Sequence, residues 1–496
     1  MTRQMNAVQQ NHRRLVGAIE ARFDVARWRG GDVDLWPLAA TDLFLDMFGA
    51  SGGNTAPPPR PFLHRAAASL ATPLTNVWKS RKDLRHWQPR PVPADAILLG
   101  DGVSLDRVAG SWRDRYGEPV MATLDRQGLG TFLMQPGGLN RLPWLRPTYA
   151  ANTVAVRAAL TAALTSALRP ARSLDLPDHA LVLEFLHQQG VRAPSLHAER
   201  LNRRFRTVSA AATLFQRILR RVRPRIAFVV TYYAGLGHAF ALACRREGIL
   251  CVDLQHCPQE GHRAYCWHGL PASGYSTLPA MFWCWSAEDV ARIADWARAP
   301  WHGAIHGGHT QHAAHAKVPA PGPHPAFDRE ILVALQPIGG YRAVWQKLAR
   351  HIEASPAGWR WWIRRHPSAS ASQDAEYSDL LALRRPNVIV EEACLLPLTA
   401  LLERVNVLVS LASGAAVEAA AFGIPALFLD PAAAGAFPGL IERRQAVLAD
   451  VDGLLPQIAA LSGRRERALL DTMPPIAETL QRLHDMAADY ARRHMT

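Results

Sequence analysis

A chain of 496 residues, 49% of them apolar, is too long for one ordinary core and predicts two domains with extensions. Its longest weakly polar stretch, 150–168, is broken by Asn152 and Arg157 and falls short of a membrane span, while six cysteines in or beside apolar runs, with no signal peptide, predict reduced thiols in a cytoplasm. The net charge of +14 gathers at 60–90 and 200–225 and predicts phosphate-rich partners, yet no zinc finger, RNP-like strand or glycine-rich RNA clamp singles out nucleic acid.

In chain order, residues 1–93 read as a helical, tryptophan-rich, basic extension with a triple-proline break at Pro57, Pro58 and Pro59. Within it, 62–87 interleaves Phe62, Trp78 and Trp87 with lysines and arginines, the pattern of a segment that rests on an anionic membrane surface or packs on a sheet. A first α/β domain is expected over 94–298: strand 96–100, helix 105–116, strand 119–124, helices through Leu219, then strands 225–233, 248–255 and 281–285 with a helix at 237–247. Residues 299–328, rich in histidine and proline, read as a low-order linker; His302, His306, His309, His312 and His315 fall at helical spacing, but the glycines among them favour a loop over a metal site. A second α/β domain follows over 329–470, with strands at 331–335, 359–364, 388–390, 407–409, 426–429 and 446–448, and a terminal helix covers 471–496. Short apolar strands alternating with helices imply doubly wound parallel sheets, and two such halves create a cleft between facing strand ends where ligands bind.

Three corners carry chemistry. Strand 407–409 runs into Ser413, Gly414, Ala415 and Ala416, a small-residue turn that opens a helix bearing Glu418; backbone N–H groups there suit a phosphate, and Glu418 suits ribose hydroxyls. The alternative is an ordinary helix cap. Strand 359–364 ends in Arg364, Arg365, His366 and Pro367, a cationic corner on the same expected sheet edge, so the two together fit a nucleotide mono- or diphosphate. In the first domain, strand 248–255 ends in Gln255, His256, Cys257 and Glu260, with His262 beyond; His256 and Glu260 are candidates for proton transfer, and Gln255, His262 and Tyr233 for the acceptor side of the cleft. Asp101, after the first strand, is either a carboxylate base or a turn aspartate. Cysteines and histidines lack zinc spacing, Phe240 blocks the third glycine position of a dinucleotide fingerprint at Gly235 and Gly237, and Ser413 lacks a nucleophile elbow, so neither a metal nor a bound cofactor is expected.

The turn at 413–425 together with Arg364 to Pro367 resembles the donor-binding half of GT-B glycosyltransferases, especially bacterial capsule and lipopolysaccharide enzymes with a His-Pro motif, similar to Kdo and sialic acid transferases. Gln255, His256, His262, Tyr265, Leu278 and Pro279 are similar to a Gln-His-Gly pattern of such surface-polysaccharide enzymes, with Cys257 in place of the glycine, and Trp28, Gly31, Trp36 and Pro37 to their start. The resemblance implies a GT-B fold and metal-independent transfer of a sugar from a nucleotide-activated donor, a CMP-sugar preferred, to a glycan or lipid-linked acceptor at the inner face of the cytoplasmic membrane. It implies that Asp101, whose neighbouring second acid is replaced by Gly100, or His256 handles the acceptor proton. A nucleotide-sugar 2-epimerase, a CDP-alditol phosphotransferase and a noncatalytic scaffold share the architecture and remain alternatives.

Overall fold

The computed structural model describes residues 2–51, 87–88, 90–108, 110–136, 142–168, 173–259, 262–315, 327–336, 339–366, 374–461 and 473–494. The basic segment 60–86, Glu260 and Pro367 lie outside the described residues. The chain divides into a first domain (Val8–Leu105, Gly110–Thr310 and Pro474–Thr496) and a second (Met1–Ala7, Asp106–Ala109 and Gln311–Met473).

The first domain is built on seven parallel strands: β1 (Ala96–Leu99), β2 (Thr131–Gln135), β3 (Thr148–Ala150), β4 (Ile226–Val230), β5 (Leu250–Leu254), β6 (Met281–Cys284) and β7 (Gly303–His306). Their spatial order is β7-β6-β5-β4-β1-β2-β3. The chain therefore winds outward from β1 in one direction and, after helix α1 (Ala198–Val222), winds outward from β4 in the other. That reversal opens a crevice between the carboxyl ends of β1 and β4, the place where doubly wound sheets bind ligands.

Four local readings are corrected here. Residues 105–116 hold strand segments Leu105–Val108 and Ser111–Asp114 rather than a helix, and 119–124 belongs to a helix, Gly117–Arg126, rather than a strand. Pro119 sits in the first helical turn, where its missing N–H costs nothing, and Val120, Met121 and Leu124 make the buried stripe. The strand β2 lies within a stretch read as helical. The described part of the expected linker's histidine region holds regular structure: β7 pairs with β6 from Met281↔Gly303 to Cys284↔His306, and Thr310–His315 is helical. Its register is held because His302 Nδ1 bonds the Pro279 carbonyl at 2.8 Å and His306 Nε2 the Trp285 carbonyl at 3.1 Å.

The N-terminal helices are no appendage. Leu15, Val16, Ile19, Trp28, Trp36 and Leu43 are buried in one apolar core with Ile97, Leu99, Val229 and Phe282 of the sheet. The buried indoles keep their polar ends satisfied, Trp28 Nε1 donating to the Pro177 carbonyl at 2.8 Å and Trp36 Nε1 to Glu20 at 2.7 Å. The last helix, Ile476–His494, belongs to this domain as well, with Leu480, Leu483, Ala487 and Tyr490 buried.

The second domain has six parallel strands: β8 (Arg329–Ala334), β9 (Trp359–Arg364), β10 (Val388–Ile389), β11 (Val407–Ser410), β12 (Ala426–Phe428) and β13 (Ala446–Leu448), ordered β10-β9-β8-β11-β12-β13. The expected strands match in number and position. Alternate side chains form two layers: Ile331, Val333, Trp361, Ile363, Val407 and Val409 pack with Trp345, Leu348 and Ile352 of one helix, and Leu332, Trp362, Leu408 and Phe428 pack with Ala416, Ala419 and Ala420 of another. Coverage on both faces explains why these strands read as continuous apolar runs instead of alternating ones. The reversal in this sheet falls between β8 and β11, so Ser413 stands at the switch point. Two doubly wound parallel-sheet domains, the Rossmann-like pair expected of the GT-B class, are thus present.

Candidate active site

In the second domain, β8 and β11 end side by side, Ala334 opposite Ser410. Gln336 clamps the two ends: its side-chain N–H₂ donates to the Ala412 carbonyl at 2.8 Å and its carbonyl accepts the Ala412 N–H at 2.8 Å. Sequence reading missed Gln336; a polar residue at the end of a central strand was the available signal. Beyond the clamp, Ser413 is half-buried, Gly414 exposed, and helix α2 (Ala415–Ala421) begins. The turn satisfies much of its own backbone: Ser413 Oγ accepts from Ala415 N at 3.2 Å, and the Ser413 and Gly414 carbonyls accept from Ala416 and Val417. Its capacity for an anion therefore rests less on free N–H groups than the sequence suggested, and more on the absence of bulk and on the Ser413 hydroxyl proton.

Glu418 projects from the first turn of α2 and is buried at 6% exposure. Among the described residues its Oε2 has no hydrogen-bond partner, and His312 Nε2 stands 3.9 Å away. A buried carboxylate oxygen left this way is costly unless something else completes it.

The cationic corner is rearranged. Arg364 continues the Trp362 row of β9 and is buried; its guanidinium donates to the Ala393 carbonyl at 2.6 Å and to the Leu396 carbonyl, closing the end of the helix Glu391–Leu395. The period-two alternation of a strand put it on the covered face, where it anchors a helix. Arg365 ion-pairs with Asp374 at 3.2 Å, and His366 is exposed.

In the first domain, the crevice between β1 and β4 is bridged by Asp101 and Thr231, 130 residues apart: Thr231 Oγ1 donates to Asp101 Oδ2 at 3.1 Å. Asp101 also accepts from Val103 N at 2.8 Å, Ser104 N at 2.7 Å and Ser104 Oγ at 2.7 Å. Four donors give it the hydrogen bonding of a turn aspartate. Gly100 is required beside it, because a Cβ there would lie 2.1 Å from Gln135 Nε2 and 2.4 Å from Asp114 Oδ2. Those two groups are themselves joined at 2.6 Å, and burial together with the Asp101 charge pushes the Asp114 carboxyl up to about 7. Thr231 has φ of 59°, a left-handed conformation that a β-branched residue adopts only under strain.

Gln255, expected on the acceptor side, is tied up inside its own domain. It is buried, its carbonyl accepts the Trp285 N–H at 2.7 Å, and its N–H₂ donates to the Cys257 carbonyl and Asp289 at 3.0 Å each, so it pins the loop after β5 to the end of β6. Asp253 beneath it accepts from Tyr232 N at 3.2 Å and Tyr265 Oη at 3.1 Å, and burial pushes its carboxyl up to about 8. The same loop brings together three of the expected residues: Tyr233 Oη lies 3.1 Å from His256 Nε2 and 3.1 Å from His262 Nε2. Burial lowers His256 to about 4 and His262 to about 3, so both rings are neutral at pH 7. His256 Nδ1 is buried without a partner among the described residues. Tyr116 flanks the His256 ring at 6.3 Å, and the Trp285 ring lies tilted against His309 with centroids 4.3 Å apart. All six cysteines are free, and burial pushes the Cys257 thiol up to about 12, so it carries no charge beside this group.

No protein-family model matches the chain, and no curated protein matches it. Among solved structures it is similar to the glycosyltransferase SnogD from Streptomyces nogalater, with a TM-score of 0.46 and 18% identity over 79% of this chain and 99% of that one. It is also similar to a UDP-GlcNAc 2-epimerase from Neisseria meningitidis bound to UDP-GlcNAc, with a TM-score of 0.46 and 13% identity over 78% and 100% of the two chains. A putative UDP-N-acetylglucosamine 2-epimerase from Listeria monocytogenes follows at 0.45 and 11%, over 82% and 95%. Likenesses this distant decide nothing about the chemistry, which is read from the chain's own residues.

Proposed function

We propose that this protein is an enzyme of nucleotide-activated sugars, and specifically a glycosyltransferase that moves the sugar to a hydroxyl of a glycan or lipid-linked acceptor. The observation that carries the reading is Glu418: a buried carboxylate with an oxygen open among the described residues, one turn into a helix that starts from a small-residue turn at the switch point of a doubly wound sheet. A vicinal diol is the partner that such an acceptor completes, and the Ser413–Gly414 turn next to it leaves room for the phosphates that accompany a ribose. The strained Thr231 and the Tyr233–His256–His262 cluster at the first domain's strand ends support an acceptor role for that domain. A cytidine donor remains the preferred reading within the proposal. An acceptor that carries phosphate is supported by the exposed arginines 200, 203, 217 and 221 on α1. Among the described residues no helix is long and apolar enough to cross a membrane.

The test is a thermal-shift panel of CMP, CDP, UDP, GDP and dTDP, followed by incubation of the bound nucleotide's sugar conjugate with and without a hydroxyl acceptor. Acceptor-dependent release of nucleotide supports transfer. Conversion of UDP-N-acetylglucosamine alone would replace the reading with epimerisation, and the absence of any nucleotide shift would refute it.

A further inference from the structure

We infer that Tyr233 and His262 lock His256 as its Nδ1–H tautomer, so that His256 serves the site as a neutral hydrogen-bond donor to a substrate oxygen and not as a proton acceptor. The argument starts at the far end of the cluster. The Ala264 backbone N–H donates to His262 Nδ1 at 3.3 Å, and an amide only donates, so that nitrogen carries no proton. A neutral imidazole then has its proton on Nε2, which donates to Tyr233 Oη at 3.1 Å. Tyr233 has one proton of its own and two neighbours to receive it: His256 Nε2 at 3.1 Å and the Cys257 sulfur at 3.9 Å. Nitrogen at the shorter distance is the stronger acceptor, so the phenol proton points to His256 Nε2. That occupies the lone pair of His256 and leaves its proton on Nδ1, the atom that is buried without a partner among the described residues.

The consequence reverses the role that the residue type suggests. A histidine whose only lone pair is already bonded is a poor base, whereas a dry, oriented N–H strengthens the hydrogen bond to any oxygen it meets. The groups facing the ring from the surrounding elements agree with a neutral state: Tyr116 from one side, Tyr233 and His262 from another, the uncharged Cys257 thiol, and Asp101, whose charge favours protonation but is outweighed by burial. Tyr233 and His262 act through His256 and are positioning residues. The assignment of the oxygen to a sugar or phosphate rests on the glycosyl-transfer reading; the tautomer does not.

Nitrogen-15 NMR of histidine-labelled protein tests it, with the His256 signals assigned by their loss in His256→Asn. The expected result is a pyrrole-type Nδ1 and a pyridine-type Nε2 that stay constant from pH 5.5 to 8. Tyr233→Phe should lose that signature and move the titration of His256 upward, while His262→Gln should weaken it without abolishing it. A wild-type ring protonated at Nε2, or one that titrates near 6.5, overturns the inference. If Tyr233→Phe does not fold, the wild-type spectrum still decides. Addition of the CMP, CDP and UDP panel separates the two levels: a locked tautomer with no nucleotide response sinks the transfer reading and keeps the lock, whereas nucleotide binding with the other tautomer does the opposite.

Discussion

Replacing Glu418 by glutamine keeps the shape of the side chain and removes its charge, so it isolates the carboxylate's contribution. If Glu418 accepts hydrogen bonds from a ribose, the charged bond is worth roughly 1.5–3 kcal/mol and its neutral replacement roughly 0.5–1.5 kcal/mol. The loss of about 1–2 kcal/mol corresponds to a Kd raised about 5- to 30-fold. Folding should respond differently. Among the described residues Oε2 has no hydrogen bond to lose, and its His312 neighbour stands at 3.9 Å, so unfolding free energy should change by less than about 1 kcal/mol. Calorimetric titration with the nucleotide that gives the largest thermal shift, combined with urea unfolding of the same preparations, measures both quantities. Wild-type affinity in a folded Glu418→Gln variant would refute the argument. A loss of more than about 3 kcal/mol of stability would also refute it, since Glu418 would then be a structural residue.

Other expectations follow from the same geometry. Asp101→Asn keeps an acceptor for the Val103 and Ser104 N–H groups, so single-turnover rate should fall less than tenfold, against roughly 100- to 10,000-fold for loss of a general base; a drop in the latter range would return Asp101 to catalysis. Arg364→Met should cost about 1–3 kcal/mol in unfolding free energy, because it strands the Ala393 and Leu396 carbonyls, and should leave nucleotide affinity within twofold; a large affinity loss at unchanged stability would reinstate it as an anion ligand. Asp253 has a folded pKa raised to about 8 from an ordinary carboxylate value, so the folded state binds the extra proton. Its contribution to stability is therefore full below about pH 4 and declines as pH rises to about 8, by at most about 1.4 kcal/mol per pH unit. Asp253→Asn, which cannot ionise, should gain on the wild type between pH 5 and 8 in urea titrations; a constant difference across that range would contradict the buried-carboxyl reading.

The second domain was legible in the sequence because its signals are local. Apolar runs such as 407–409, the small residues at 413–416 and the stop at Gly423–Pro425 are set by neighbouring positions, and each became the strand, turn and helix they indicate. The stretch 105–135 was misread because Pro119 and short apolar runs are compatible with either element; only burial of Val120, Met121 and Leu124 on one side decided for a helix. The types of the candidate residues were visible, but their partners were not. Arg364 looked free until the strand register turned it toward the Ala393 carbonyl, and Asp101 looked available until Thr231, 130 residues later, closed on it. Strand order, and with it the two switch points, likewise depends on pairings between distant segments. Tyr233, His256 and His262 were each named from sequence, yet their shared hydroxyl, and the tautomer it imposes, exists only because the ends of β4 and β5 are neighbours in the sheet. Composition and periodicity specify elements, while hydrogen bonds across the fold specify which polar atoms remain open for chemistry.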